Sequence, residues 1–118
     1  MSKGEKKTEV LQGTLDLIVL KTLDAMGPLH GYGIARRIEQ LSQDVLRLND
    51  GTVYTSLIRL QQQGWITSEW GASEDNRKAR FYSISKRGRK QLASEEEGWG
   101  RISGAIARIL ALAPGGGS

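Results

Sequence analysis

Apolar and polar positions along this 118-residue chain repeat with a helical period in four places and alternate in two. Over residues 13–26, Leu15, Ile18, Val19, Leu23 and Met26 form one apolar face, and Leu17 and Leu20 lie off it. A helix apolar nearly all round is buried on more than one side. Two readings fit: a purely intramolecular core, or packing both on its own domain and on a partner subunit's last helix. Gly27-Pro28 stops this helix. Over residues 31–43, Ile34, Ala35, Ile38 and Leu41 face inward, and Arg36, Arg37, Glu39 and Gln40 face water. The connection over residues 42–49 is longer than the turn of a minimal helix-turn-helix, and Val45, Leu46 and Leu48 predict that it packs down. A third helix has a written start and stop. Asn49 or Asp50 caps its first free N–H groups, and Gly64 takes the left-handed conformation that ends it. Val53, Leu57 and Leu60 form its buried face.

The period then shortens. Residues 65–70 and 80–85 read as two strands, with Ile66 and Trp70 on one face of the first and Tyr82 and Ile84 alternating on the second. Between them lies a polar tip, G-A-S-E-D-N-R-K-A, too long for a two-residue turn. A hairpin directly after such a helix is a wing. Ser85 caps a last helix that runs to about residue 113, where Pro114 ends it. Leu92, Trp99, Ile102, Ile106 and Ile109 make a heptad seam with one weak position at Glu96. A seam that outruns the globular part needs a partner, and a second copy is the simplest one. With Leu15 and Val19 of the first helix, these five residues are the expected dimer interface. Gly98, Gly100 and Gly104 interrupt this helix; they either let helices approach closely or leave space beside the indole of Trp99.

The expected fold class is mainly α with a small two-stranded β wing: a winged helix-turn-helix with a C-terminal dimerisation helix. Residues 1–9 read as a flexible polar tail, 10–85 as the winged domain, 86–113 as the dimerisation helix and 114–118 as a second flexible tail. The length suits one domain with a modest core.

Charge narrows the partner. The net charge is +4 and the pI about 9.6. Balance alone permits an anionic partner without naming it. The distribution says more. The front of the third helix carries Thr52, Thr55, Arg59 and Gln62, and no acidic residue occurs over residues 51–68. A small, polar, non-acidic face suits a DNA major groove. Seven basic residues and no acid fall over residues 77–90, including Arg77, Lys78 and Arg80 at the wing. Basic wing residues can reach a minor groove or the backbone. Glu74 and Asp75 beside them partly cancel the field. The expected DNA-binding residues are Tyr32, Asn49, Gly51, Thr52, Tyr54, Thr55, Arg59, Arg77, Lys78 and Arg80. His30 is read as a cap. Tyr32 either adds its hydroxyl to a phosphate at the helix start or packs in the core.

Four stretches carry a resemblance to a known family. They are L-Q-G-T-L-D-L-I-V-L-K-T-L from Leu11, H-G-Y-G-I-A-R-R-I from His30, D-G-T-V-Y-T-S-L-I-R-L-Q-Q-Q-G-W-I from Asp50 and N-R-K-A-R-F-Y-S-I-S-K-R-G from Asn76. Together, in this order, they resemble the PadR family of bacterial transcription regulators over roughly residues 10–110. The resemblance implies a winged helix-turn-helix, a C-terminal dimerisation helix and operator binding. In some regulators that the chain resembles, a Trp at the place of Trp99 lines a drug-binding cleft between subunits. Trp99 is thus either a plain dimer-core residue or the wall of a small-molecule site.

Other chemistries find no support in the sequence. There is no Cys, one His, no phosphate loop and no zinc spacing. Glu95, Glu96 and Glu97 are consecutive and point in different directions around a helix. The sequence predicts no enzyme, no cofactor and no metal. No run reaches membrane-span length and no apolar leader opens the chain, so a cytoplasmic protein is expected. The function expected is a sequence-specific transcriptional regulator, a repressor, that binds a palindromic operator in double-stranded DNA as a homodimer and is released by a small molecule near the interface. The competing reading is a winged-helix protein–protein interaction module.

Overall fold

The computed structural model describes residues 12–115. The tail expected over residues 1–9, and residues 116–118 of the other, lie outside the described residues. Four helices and three strands follow in order: α1 Gln12–Met26, β1 Leu29–His30, α2 Gly31–Leu41, α3 Asp50–Gln62, β2 Ile66–Ala72, β3 Lys78–Ile84 and α4 Lys86–Leu110.

The core sits where α1, α2 and α3 meet the base of the wing. It is built from Leu15, Val19, Leu20 and Leu23 of α1, Ile34, Ala35 and Ile38 of α2, and Val53, Leu57 and Leu60 of α3. Ile66 and Tyr82 close it from the sheet and Leu92 from α4. Leu46 and Leu48 pack against it, so the connection over residues 42–49 is held down as its leucines predict, while Val45 stays exposed.

Local chemistry sets the boundaries of α3. Asn49 is the cap: its Oδ1 accepts from the Thr52 N–H at 2.7 Å. At the other end the Trp65 N–H donates to the Leu60 carbonyl and the Gly64 N–H to that of Gln61, both at 3.0 Å. Gly64 has a φ of +78°. This is the paired-bond stop that a left-handed glycine permits. Ser85 joins two elements. Its hydroxyl donates to the Gly64 carbonyl at 2.7 Å and accepts from the Gly88 N–H at 3.0 Å, so the residue that caps α4 also ties it to the end of α3.

The wing is larger than the two strands expected. β1 pairs antiparallel with the outer side of β3, giving the order β1-β3-β2. β2 and β3 reach further toward the tip than their alternation shows, with Trp70 opposite Arg80 and Ala72 opposite Lys78. α2 stops at Leu41 rather than 43, because Gln43 and Asp44 turn to left-handed φ values of +53° and +66°. α4 ends at Leu110, short of 113.

Three residues expected in the dimer interface lie elsewhere. Leu15, Val19 and Leu92 are buried within the chain's own core and keep no surface for a partner. Leu17 and Ile18 of α1 stay partly open, and Met26 at its end is exposed. Beyond Trp99 the seam of α4 lies bare: Ile102 is 59% exposed, Ile106 49% and Ile109 65%.

Candidate nucleic-acid interface

The outer surface of α3 is defined by what its flanks are bound to. On one flank Arg59 turns inward. Its Nη2 donates to Asp16 Oδ1 at 2.7 Å and its Nε to Oδ2 at 3.3 Å. The buried Ser56 hydroxyl donates to the same Oδ1 at 2.6 Å. The structure thus corrects the placing of Arg59 on the DNA face: its guanidinium clamps α3 to α1. On the other flank Gln61 Nε2 donates to Ser68 Oγ of β2 at 3.1 Å, fixing α3 against the wing.

Between these flanks Gly51, Thr52, Tyr54, Thr55 and Ile58 are exposed. The Thr55 hydroxyl donates to the Gly51 carbonyl at 2.9 Å. Its proton is therefore engaged, and the oxygen of this exposed residue is left as an acceptor. Asn49 uses its carbonyl oxygen in the cap and keeps its amino group as a donor. Sequence reasoning misses Ile58 because an isoleucine in a helix reads as core; its place one turn beyond Thr55 and Tyr54 is the signal that finds it. Asp50 is the acid of the first turn and is also exposed.

The wing presents its face toward α3. Ile66, Ser68, Trp70 and Ala72 lie on one side of β2, opposite Ile84, Tyr82, Arg80 and Lys78 of β3. Near the core this face is buried through Ile66 and Tyr82; further out it becomes an exposed aromatic and basic patch. The Arg80 guanidinium carbon lies 5.1 Å from the Trp70 ring centre and the Lys78 ammonium 5.2 Å. Glu69 falls on the opposite face of β2, away from these cations. Arg77 is exposed at the tip, where its N–H donates to Ser73 Oγ. Among the described residues, Arg77, Lys78 and Arg80 form no ion pair with a carboxylate.

Tyr82 closes the core from the base of the wing, and Tyr32 stands in the first turn of α2. Burial pushes the Tyr82 hydroxyl above the usual tyrosine range, Tyr54 adds to the rise and Arg80 opposes it. At the start of α2, His30 Nδ1 accepts from the Gly33 N–H at 3.2 Å, so it caps the helix as expected. Its ring stacks on Tyr32 and meets the edge of Phe81 on β3. Tyr32 is exposed rather than in the core, with Arg36 over its ring at 5.7 Å. The outer face of α3 and the inner wing meet through Gln61 and Ser68 and carry exposed hydroxyls and cations, whereas the His30 and Phe81 rings beside the start of α2 lie on the other face of the sheet.

A second feature lies apart from it. Leu17, Ile18, Ile38, Leu41, Leu46 and Trp99 line an apolar cleft of about 310 Å³ between α1, α2 and α4. No group of three or more His, Asp or Glu among the described residues is placed to hold a metal ion. No described helix is long and apolar enough to cross a membrane.

Known proteins share this arrangement. The chain is similar to a transcriptional regulator from Clostridium thermocellum, at 27% identity and a TM-score of 0.74 over 82% of this chain and 90% of that one. It is similar in fold to a PadR-like transcriptional regulator from Bacillus cereus, at 23% identity and a TM-score of 0.74 over 88% and 98%. An uncharacterised protein of a Streptomyces fradiae transposon is 34% identical over 76% of this chain, which spans 24% of that protein's length. Residues 19–94 match the family described as the transcriptional regulator PadR-like family. With the wing, the capped third helix and the long last helix all in place, the chain belongs to the PadR-like family of transcriptional regulators.

Proposed function

We propose that the protein binds double-stranded DNA as a homodimer and acts as a repressor at a palindromic operator. The observation that carries this reading is the outer face of α3, where Thr52, Tyr54, Thr55 and Ile58 stand exposed, together with wing cations that form no ion pair among the described residues. Thr55 offers an acceptor and a methyl to base edges, and Ile58 suits a thymine methyl. Arg77, Lys78 and Arg80 meet phosphates, with Tyr32 and the N–H groups at the start of α2 touching the DNA backbone as well. A regulator of chromosomal DNA of this kind works in the cytoplasm.

The second copy docks along α4. Trp99, Ile102, Ile106 and Ile109 supply an exposed apolar strip, and Leu17 and Ile18 border the cleft next to Trp99. Two α3 helices related by the two-fold axis then read half-sites about one helical turn apart. An apolar effector held beside Trp99 changes the separation of the two copies and releases DNA, provided that it binds the two states with different affinity. This reading is tested by selecting duplexes from a random pool with the purified protein and measuring their affinity against salt. The expected result is an inverted repeat bound with affinity that falls steeply as salt rises. Recovery of no sequence, with no binding of any duplex in dilute buffer, overturns it.

A further inference from the structure

Resting on the reading that this surface meets DNA, we propose that Trp70 positions the wing cations and itself packs against the duplex. Trp70 is 58% exposed, far out on a strand, where an indole has no core to fill. Its surroundings give it another task. Arg80 is its direct cross-strand partner and Lys78 its diagonal one, and both carry their charge within about 5 Å of its ring centre. Arg80 is fixed from a second side, since its Nε donates to Ser68 Oγ at 3.1 Å, the same oxygen that accepts from Gln61 of α3. The chain Gln61–Ser68–Arg80–Trp70–Lys78 thus ties the cations of the wing to the recognition helix.

Two consequences follow. Long basic side chains normally lose rotamer freedom when they bind a phosphate. Here the indole has already restricted them, so less is lost on binding. Second, Trp70, Lys78 and Arg80 share one face of the hairpin. Any duplex that both cations reach must lie over the indole and exclude water from it. Attraction between a cation and an aromatic face strengthens when water is removed. The wing's contribution then includes an apolar part that salt does not screen, alongside the charges that it does.

The test uses the full chain and a 30-base-pair random-sequence duplex in dilute salt. In a Trp65→Phe/Trp99→Phe variant, Trp70 is the only indole, and its emission should shift when duplex is added. In the otherwise unaltered chain, Trp70→Leu should weaken binding by about fivefold or more, as removal of two cation–aromatic pairings predicts, with an unchanged melting temperature. Trp70→Phe should restore most of the affinity. In a Lys78→Ala/Arg80→Ala background the effect of Trp70→Leu should shrink. Wild-type binding of the duplex with unmoved Trp70 emission and full affinity in Trp70→Leu overturns the inference and leaves the DNA reading intact. Weaker binding that tracks a lowered melting temperature, without rescue by Phe, also overturns it by assigning Trp70 to structure alone. No binding by the wild type overturns the DNA reading itself.

Discussion

Arg59 holds Asp16 by both carboxylate oxygens, across 43 residues of chain. The pair is largely shielded from water, and the buried Ser56 hydroxyl shares one of the oxygens. An ion pair in water contributes little, but removing one member of a shielded, hydrogen-bonded set leaves the others without partners. Asp16→Ala should therefore lower stability by about 2 kcal/mol. Denaturant titration checks this, with a shifted midpoint and an unchanged slope as the expected result. Arg59→Lys should keep the charge but lose the two-pronged geometry.

The clamp also marks where sequence reasoning runs short. The start and stop of α3 are legible because Asn49, Gly64 and their bonding partners are neighbours in the chain. The caps at His30 and Ser85 are legible for the same reason. Arg59 falls on the wrong flank in a sequence reading because Asp16 is distant in the chain, and helical period alone does not say which rim of a polar face meets another helix. Leu15 and Val19 are assigned to a partner for a related reason. A helix apolar all round reveals that it has two buried sides, not which residues serve which side. Of the candidate site, the threonines and wing cations are visible as composition on a predicted face; the aromatic support of those cations depends on strand register, which alternation alone leaves open.

The wing and the α3 face should respond differently to substitution. Arg77→Glu/Lys78→Glu places two negative charges where, among the described residues, the cations now form no ion pair. Affinity should drop for every duplex, and the dependence of log affinity on log salt should become shallower by about 1 for each phosphate that is no longer neutralised. Thr55→Ala removes an acceptor and a methyl from the outer face while leaving charge unchanged. It should alter which sequences a random pool yields and keep the salt dependence. Anisotropy at several salt concentrations separates the two.

Gly88 marks an approach so close that it allows no side chain. A Cβ there would collide with the Trp65 carbonyl oxygen and lie 2.8 Å from Ile84 Cγ1. The first turn of α4 is thereby pressed onto the end of α3 and the base of β3. Since the obstacle is backbone, it cannot rotate aside. Gly88→Ala should destabilise by more than about 3 kcal/mol, in the range reserved for overpacking of a close-packed site. Loss of a cooperative melting transition, or a fall of many degrees, is the expected readout.

Tyr82 gives the fold a dependence on alkaline pH. Its hydroxyl ionises above the ordinary value of 10.0, chiefly because burial disfavours the phenolate. Above that pH the unfolded chain gives up the Tyr82 proton before the folded chain does. The stabilisation is thus present in full below the unfolded value and is lost as pH rises through the folded one. Tyr82→Phe removes the proton and with it this component. Unfolding midpoints from about pH 9 to about pH 11, on either side of the ordinary tyrosine value, should fall less steeply in the variant than in the wild type. Absorbance titration should lose one late-ionising phenol.

The proposed dimer rests on the distal half of α4, and this part is the simplest to challenge. Leu92 seats the proximal half on the core, and Lys21 pairs with Glu96 at 3.1 Å. Past Trp99 the helix carries Ile102, Ile106 and Ile109 exposed on one heptad stripe, too far along α4 to be covered by the chain's own core. Ile106→Glu puts a charge in the middle of that stripe without touching the protomer's core. If a second copy covers the stripe, the variant should be monomeric by light scattering at micromolar concentration, with a folded circular dichroism spectrum. Affinity for an inverted repeat should then collapse toward that of a single half-site, because two linked binding surfaces act at high effective concentration and one does not. A wild type that is itself monomeric, or a variant that stays dimeric, removes α4 from the interface and with it the two-fold geometry proposed for the operator.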